Sequence, residues 1–200
     1  MPLEQYRKKR NFRSTPEPAG RVQRSSRRPI FVVQKHDASH LHYDFRLEID
    51  GVLVSWAVPK GPTLDPAVKR FATMTEDHPL QYSDFEGVIP EGEYGAGTMM
   101  VWDRGTYDTE DKRPAAKHLA HGQINLILHG KKLQGAFVLL HIGRGAAKPR
   151  EKSRWLLIKR RDDYGRTGWN PEDARLSQSV LTGRTLAEIE QGRPARKRAA

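Results

Sequence analysis

The chain has 200 residues, 17 of them glycine and 13 proline but none cysteine; this suits one domain that buries its own core and excludes disulfides, thiol nucleophiles, iron–sulfur clusters and cysteine-based zinc sites. Its net charge of +11 sits at the two ends: residues 1–28 hold nine Lys/Arg against two Glu, 193–198 hold four basic residues and no acid, and 29–192 balance 22 basic with 22 acidic residues. No apolar run exceeds five residues and the start MPLEQYRKKR lacks a secretory apolar stretch, so the expectation is a soluble cytoplasmic protein without a membrane partner.

Residues 1–28 read as a basic arm. LEQYRKKRNFR (3–13) suits a short helix with Leu3 and Tyr6 on one side, and the prolines and glycine of STPEPAG end it. From residue 29 the texture is β. PIFVVQK (29–35) is a strand candidate, and HLHYDFRLEI (40–49) alternates apolar and polar residues throughout, as a half-buried strand does. Asp50-Gly51 then predicts a two-residue type I′ turn into VLVSWAV (52–58). Further strands are expected over 69–75, 97–104, 123–130, 133–142 and 154–160, separated by Gly, Pro, Asp and Lys turns. Seven or eight strands with hardly any helical pattern between them predict a mainly antiparallel barrel or sandwich over 29–184. Residues 143–153 read as a mobile loop and 162–179 as an irregular surface segment. TLAEIEQG (185–192) reads as a last helical turn or two, and RPARKRAA as a disordered tail or linker within a terminal unit of 185–200. Two basic arms on a neutral body favour a polyanionic partner, since phosphate contacts release condensed counterions.

The polar face of strand 40–49 carries the chemistry. Residues two apart on a strand share a face, which makes His42 and Asp44 neighbours with Arg46 next in line. His36, six residues before His42, can close on the same point. Two imidazoles and a carboxylate form an open metal site, and Arg46 can hold a phosphate oxygen beside it. Against this stands the plain reading that a solvated strand face is polar anyway, and His40, in phase with His42, competes as a ligand. In TEDHPLQY (75–82), His78 is held in an extended or turn conformation by Pro79 and can polarise a phosphate oxygen or pass a proton, and Tyr82 can donate to the same group, although read alone such a His is more often a surface residue. Lys60 and Arg70 read by default as solvated residues at strand ends. EGVIPEGEYGAG (86–97) must turn sharply, yet it is neither a P-loop nor a dinucleotide fingerprint, and no GxSxG motif occurs.

FVVQKHDASHLHYDFRLEIDGVLVSWAVPKGP (31–62), TEDHPLQYSDFEGVIPEGEYGAGTMMVWDRGTY (75–107) and WLLIKRRD (155–162) resemble the 3′-phosphoesterase domain of bacterial DNA ligase D, over roughly residues 5–185. The resemblance implies a β-barrel with its active site on a concave outer face. It implies a manganese-preferring enzyme, whose ligands would also accept Zn2+ or Co2+, that removes 3′-terminal ribonucleosides and then 3′-phosphates to leave a 3′-hydroxyl. The implied substrates are DNA or RNA/DNA primer-template 3′ ends, and the implied partners are the ligase and polymerase domains of ligase D and the end-binding protein Ku. By residue, it implies metal ligation by His36, His42 and Asp44, and action at the scissile phosphate by Arg46, His78 and Tyr82. Lys60 and Arg70 would serve the monoesterase step, and Arg10 and Glu17 of the arm would be catalytic. One position departs: the family's Lys-Arg-Asp-Phe reads Lys9-Arg10-Asn11-Phe12, an amide in place of a carboxylate. A second reading is a non-catalytic module that binds nucleic-acid ends. Both readings expect salt-sensitive binding, and only the enzyme expects a metal-dependent product.

Overall fold

The computed structural model describes residues 2–143 and 152–196. Most of the expected loop 143–153 and the last four residues therefore lie outside the described residues. In chain order the elements are α1 (Glu4–Lys8), β1 (Ile30–Asp37), β2 (Leu41–Ile49), β3 (Val52–Val58), β4 (Lys69–Met74), β5 (His78–Pro79), a 3-10 turn (Leu80–Asp84), β6 (Gly87–Ile89), β7 (Gly97–Thr109), α2 (Ala115–His121), β8 (Gln123–Gly130), β9 (Gln134–Ile142), β10 (Arg154–Lys159), a second 3-10 turn (Ala174–Leu176) and α3 (Leu186–Glu190). Every described pairing is antiparallel. Eight strands run β1-β2-β3-β4-β10-β9-β8-β7, and β7 returns to β1, so the sheet closes into a barrel. All eight expected strands are present.

The Asp50-Gly51 turn has positive φ at both residues, +49° and +80°, as a type I′ hairpin needs. The inward-facing set of β2, Tyr43, Phe45 and Leu47, lies opposite Val58, Trp56 and Val54 of β3. Trp56 meets Trp155 edge to face at 5.6 Å, and Phe137, Leu126, Leu128 and Leu139 are fully buried beside them. Helix α2 was not expected from the sequence; Pro114 before it and the left-handed Gly122 after it bracket it. Residues 162–179 form the expected irregular surface segment, mostly exposed, and it packs onto the barrel core at a few points. Trp169 meets Trp102 at 6.0 Å, and Glu172 accepts from Lys35 and from the Tyr43 hydroxyl. Helix α3 carries a capping box, Thr185 with Glu188, and Arg196 folds back onto Glu188 at 2.8 Å.

A second layer covers the outside of β1–β3. On one side lie α1 and the chain that follows it; on the other lies the β5–β6 segment, whose His78 pairs with Leu53 of β3. The polar face of β2 is consequently not solvated: Asp44, Arg46 and Glu48 are 6%, 2% and 3% exposed. A half-buried strand was expected here; this one is buried on both faces, because the arm returns over it. Glu48 secures that return by accepting from Ser26 N, Ser26 Oγ and Ile30 N.

Candidate active site

β1 and β2 place the three candidate ligands. His36 and His42 are direct cross-strand partners, and Asp44 lies one step along the same outer face. Their rings and carboxylate offer three ligand atoms within 4.8 Å of one another. His36 Nδ1 is 3.9 Å and His42 Nε2 4.0 Å from the Asp44 carboxylate, and the two imidazole centroids are 4.7 Å apart. Among the described residues His36 Nε2 is buried without a hydrogen-bond partner. Burial, acting against the pull of Asp44, lowers the His36 pKa and keeps the ring neutral, the form that binds metal. His42 Nδ1 lies 2.9 Å from the His40 carbonyl oxygen, which calls for a proton on Nδ1 and leaves the Nε2 lone pair free. His40, the competing ligand by spacing, is exposed and serves through its backbone. The donor set thus fits a divalent transition metal.

Arg46 stands beside this cluster with almost no freedom. Its Nε donates to Gln34 Oε1 at 2.8 Å, its Nη1 to Ser55 Oγ at 2.8 Å, and its Nη2 to Asp44 Oδ2 at 3.0 Å. Gln34 in turn donates to the carbonyls of Tyr82 and Phe85, so one buried amide sets both Arg46 and the turn that carries Tyr82. A guanidinium fixed in plane needs no reorganisation when an anion arrives.

His78 lies between two guanidinium groups. Arg46 Nη1 is 2.9 Å from its Nδ1 and Arg10 Nη2 is 3.2 Å from its Nε2, with the Glu76 carbonyl also 2.9 Å from Nδ1. Burial first, and the two arginines next, hold its pKa well below the usual 6.5. The ring is therefore neutral at rest. Tyr82 donates to Glu17 Oε1 at 2.7 Å; burial and the Glu17 charge push its phenol well above 10, so it keeps its proton.

The arm brings its own residues in from 60 and more positions away. Arg10 donates through Nε to Glu17 at 2.9 Å and through Nη1 to Glu76 at 3.0 Å, and its guanidinium lies 4.0 Å from the Tyr6 ring centroid. Lys9 reaches Glu76 Oε2 at 3.0 Å. Tyr6 seals the group, edge-on to His78 at 5.1 Å. The resulting pocket, about 300 Å3, is lined by Arg10, His36, His42, Asp44, Arg46, Glu76, His78, Tyr82 and Tyr94 among others.

Eight of the ten residues singled out in the sequence meet here; Glu17 does so as the partner of Arg10 and Tyr82. Lys60 and Arg70 do not. Lys60 is exposed in the turn after β3, and Arg70 shares strand parity with the inward-facing Ala72 and Met74, on the other side of the sheet. Asn11 is exposed, and its Oδ1 accepts from Arg13 N at 3.2 Å within its own turn. Gln34, Ser55 and Glu76 escaped the sequence reading. Gln34 was legible as being in phase with His36, whereas Ser55 requires the β2–β3 register and Glu76 the fold of the arm.

Residues 34–141 match the family described as DNA ligase D 3′-phosphoesterase domain. The chain is 48% identical over 206 residues to the multifunctional non-homologous end joining protein LigD of Pseudomonas aeruginosa, covering 98% of this chain and 24% of that protein. It is 47% identical over 144 residues to the multifunctional non-homologous end joining DNA repair protein LigD of Mycobacterium tuberculosis, covering 69% of this chain and 18% of that protein. The corresponding Mycolicibacterium smegmatis protein is 46% identical over 143 residues, 69% of this chain and 19% of its own length. The chain thus spans a quarter or less of these relatives.

Proposed function

The chain belongs to the DNA ligase D 3′-phosphoesterase domain family, and from that premise we propose that it heals DNA 3′ ends for double-strand-break repair by end joining. It would remove a terminal ribonucleoside by phosphodiester cleavage, leaving a 3′-phosphate, and then hydrolyse that monoester to a 3′-hydroxyl and inorganic phosphate. The observation that supports this most is the meeting of an open His36/His42/Asp44 donor set with Arg46, Arg10, His78 and Tyr82 in one pocket under a basic arm. Ku and the polymerase and ligase domains of ligase D are its proposed partners.

A divalent cation on His36, His42 and Asp44, manganese by family resemblance, would supply Lewis-acid polarisation of a phosphoryl oxygen. The side chains do the rest. Arg46 is locked by Gln34, Ser55 and Asp44 and presents its remaining Nη2 proton to an entering phosphate oxygen. Arg10, aligned by Glu17 and Glu76, closes on the anion from the arm side. A bound phosphate would offset the two arginine charges that oppose a proton on His78, so substrate binding raises its pKa against the burial that lowers it most. Tyr82 retains its phenolic proton for donation.

The test uses a 5′-labelled primer-template ending in one ribonucleotide and a second ending in a 3′-phosphate, each with and without manganese, beside His42→Ala. Manganese-dependent conversion to a 3′-hydroxyl, absent with His42→Ala, is the expected result. Intact primers under conditions where they are bound would overturn it and leave an end-binding module.

A further inference from the structure

Six large apolar side chains remain exposed among the described residues: Val22, Leu41, Phe71, Val88, Tyr94 and Tyr164. Only Tyr94 of these lines the candidate active site. It stands in the middle of EGEYGAG and is 48% exposed, so no core contact accounts for its position. The loop's backbone puts it there, since Gly92, Gly95 and Gly97 all have φ between +79° and +138°. A Cβ on Gly95 would lie 4.0 Å from His36 Cε1, which sets the loop directly against the metal-ligand cluster. Cations flank the ring: Lys9 Nζ lies 4.8 Å and the Arg10 guanidinium 5.5 Å from its centroid, and Lys9 also donates to its hydroxyl at 3.2 Å. A half-exposed aromatic ring beside basic side chains is how proteins hold an unpaired base next to a nucleic-acid backbone.

We propose that Tyr94 is a stacking subsite for the base of the 3′-terminal nucleoside, placing the adjacent phosphodiester over Asp44 and Arg46. The proposal rests on the end-healing reading and adds a binding determinant that is tolerant of base identity, because every base has a π-face. It also gives the glycine-rich loop a task that neither metal binding nor phosphate binding assigns to it.

The experiment compares two primer-templates, one ending in a ribonucleotide and one ending in 1-deoxyribose, which keeps the 2′-hydroxyl but has no base. Wild type, Tyr94→Ala and Tyr94→Phe are measured for kcat/KM with manganese, and for binding of the same 5′-fluorescent primers by anisotropy without metal. Stacking predicts that wild type and Tyr94→Phe prefer the base-bearing end by about tenfold, mainly through KM and Kd, and that Tyr94→Ala loses that preference. Equal losses on both ends would make Tyr94 an anchor for the arm and overturn the proposal, as would an unchanged preference in Tyr94→Ala. If wild type turns over neither end, the catalytic reading fails, and the ratio of binding affinities still decides whether Tyr94 stacks a base.

Discussion

Arg46 makes the site's demands clearest at the scale of a single residue. A buried guanidinium is tolerable only when nearly every donor is used, and Gln34, Ser55 and Asp44 use three in fixed directions. Lysine keeps the charge but cannot reach all three acceptors from one nitrogen. Arg46→Lys is therefore expected to lose at least about a hundredfold in activity and about 2–4 kcal/mol of stability, read by primer turnover and by urea unfolding. Asn11 makes the opposite case. Its amide oxygen caps Arg13 N in an exposed turn, away from the ligand cluster, and a carboxylate oxygen can accept the same bond. Asn11→Asp is expected to change kcat/KM by no more than about threefold, the range of exposed charge effects. A much larger rise would show that this position acts on a substrate-bound arm.

Among the elements, the arm depends on how it is tied to the barrel. Glu48 holds its return with three hydrogen bonds, and Gln23 N donates to the Gly51 carbonyl at 3.0 Å. Gly51 is required at that point, because a Cβ would lie 1.8 Å from the Gln23 carbonyl oxygen. In Glu48→Gln the amide nitrogen faces one backbone N–H that it cannot satisfy. The expected cost is about 1–3 kcal/mol, together with faster tryptic cleavage after Arg21, Arg24 and Arg27. Activity should fall as arm closure is lost, since Arg10 and Glu17 reach the pocket only through it.

For the whole molecule, burying neutral His78 between two arginines couples stability to pH. Its folded pKa lies well below 6.5, so as pH falls below 6.5 the unfolded chain takes up a proton that the folded one refuses. Stability is thus lost towards acid, by at most about 1.4 kcal/mol per pH unit for this one group. His78→Gln should unfold with a shallower pH dependence between 6.5 and 5, measured by denaturant titration at each pH. A wild-type slope equal to that of the variant would mean that the ring is protonated in the folded state. Asp77, pushed up to about 6 by burial and then by Glu76, works in the opposite sense, and comparing the two proteins cancels its contribution.

The sequence by itself determined the barrel strands, because side-chain alternation and turn chemistry are local and survive without tertiary context. The same period of two put His42, Asp44 and Arg46 on one face, but it left His40 in competition as a ligand, and only the β1–β2 register sets His36 opposite His42. What alternation cannot report is what lies over a face. The polar row of β2 reads the same whether water or a protein layer covers it, and only the return of the arm shows Asp44, Arg46 and Glu48 to be buried. The neutral state of His78 and the meeting of Arg10 with Glu76 across 66 positions come from that same closure. The separation of Arg70 from the pocket follows from strand register instead. These features belong to tertiary structure because burial and charge proximity are sums over neighbours that chain spacing does not contain.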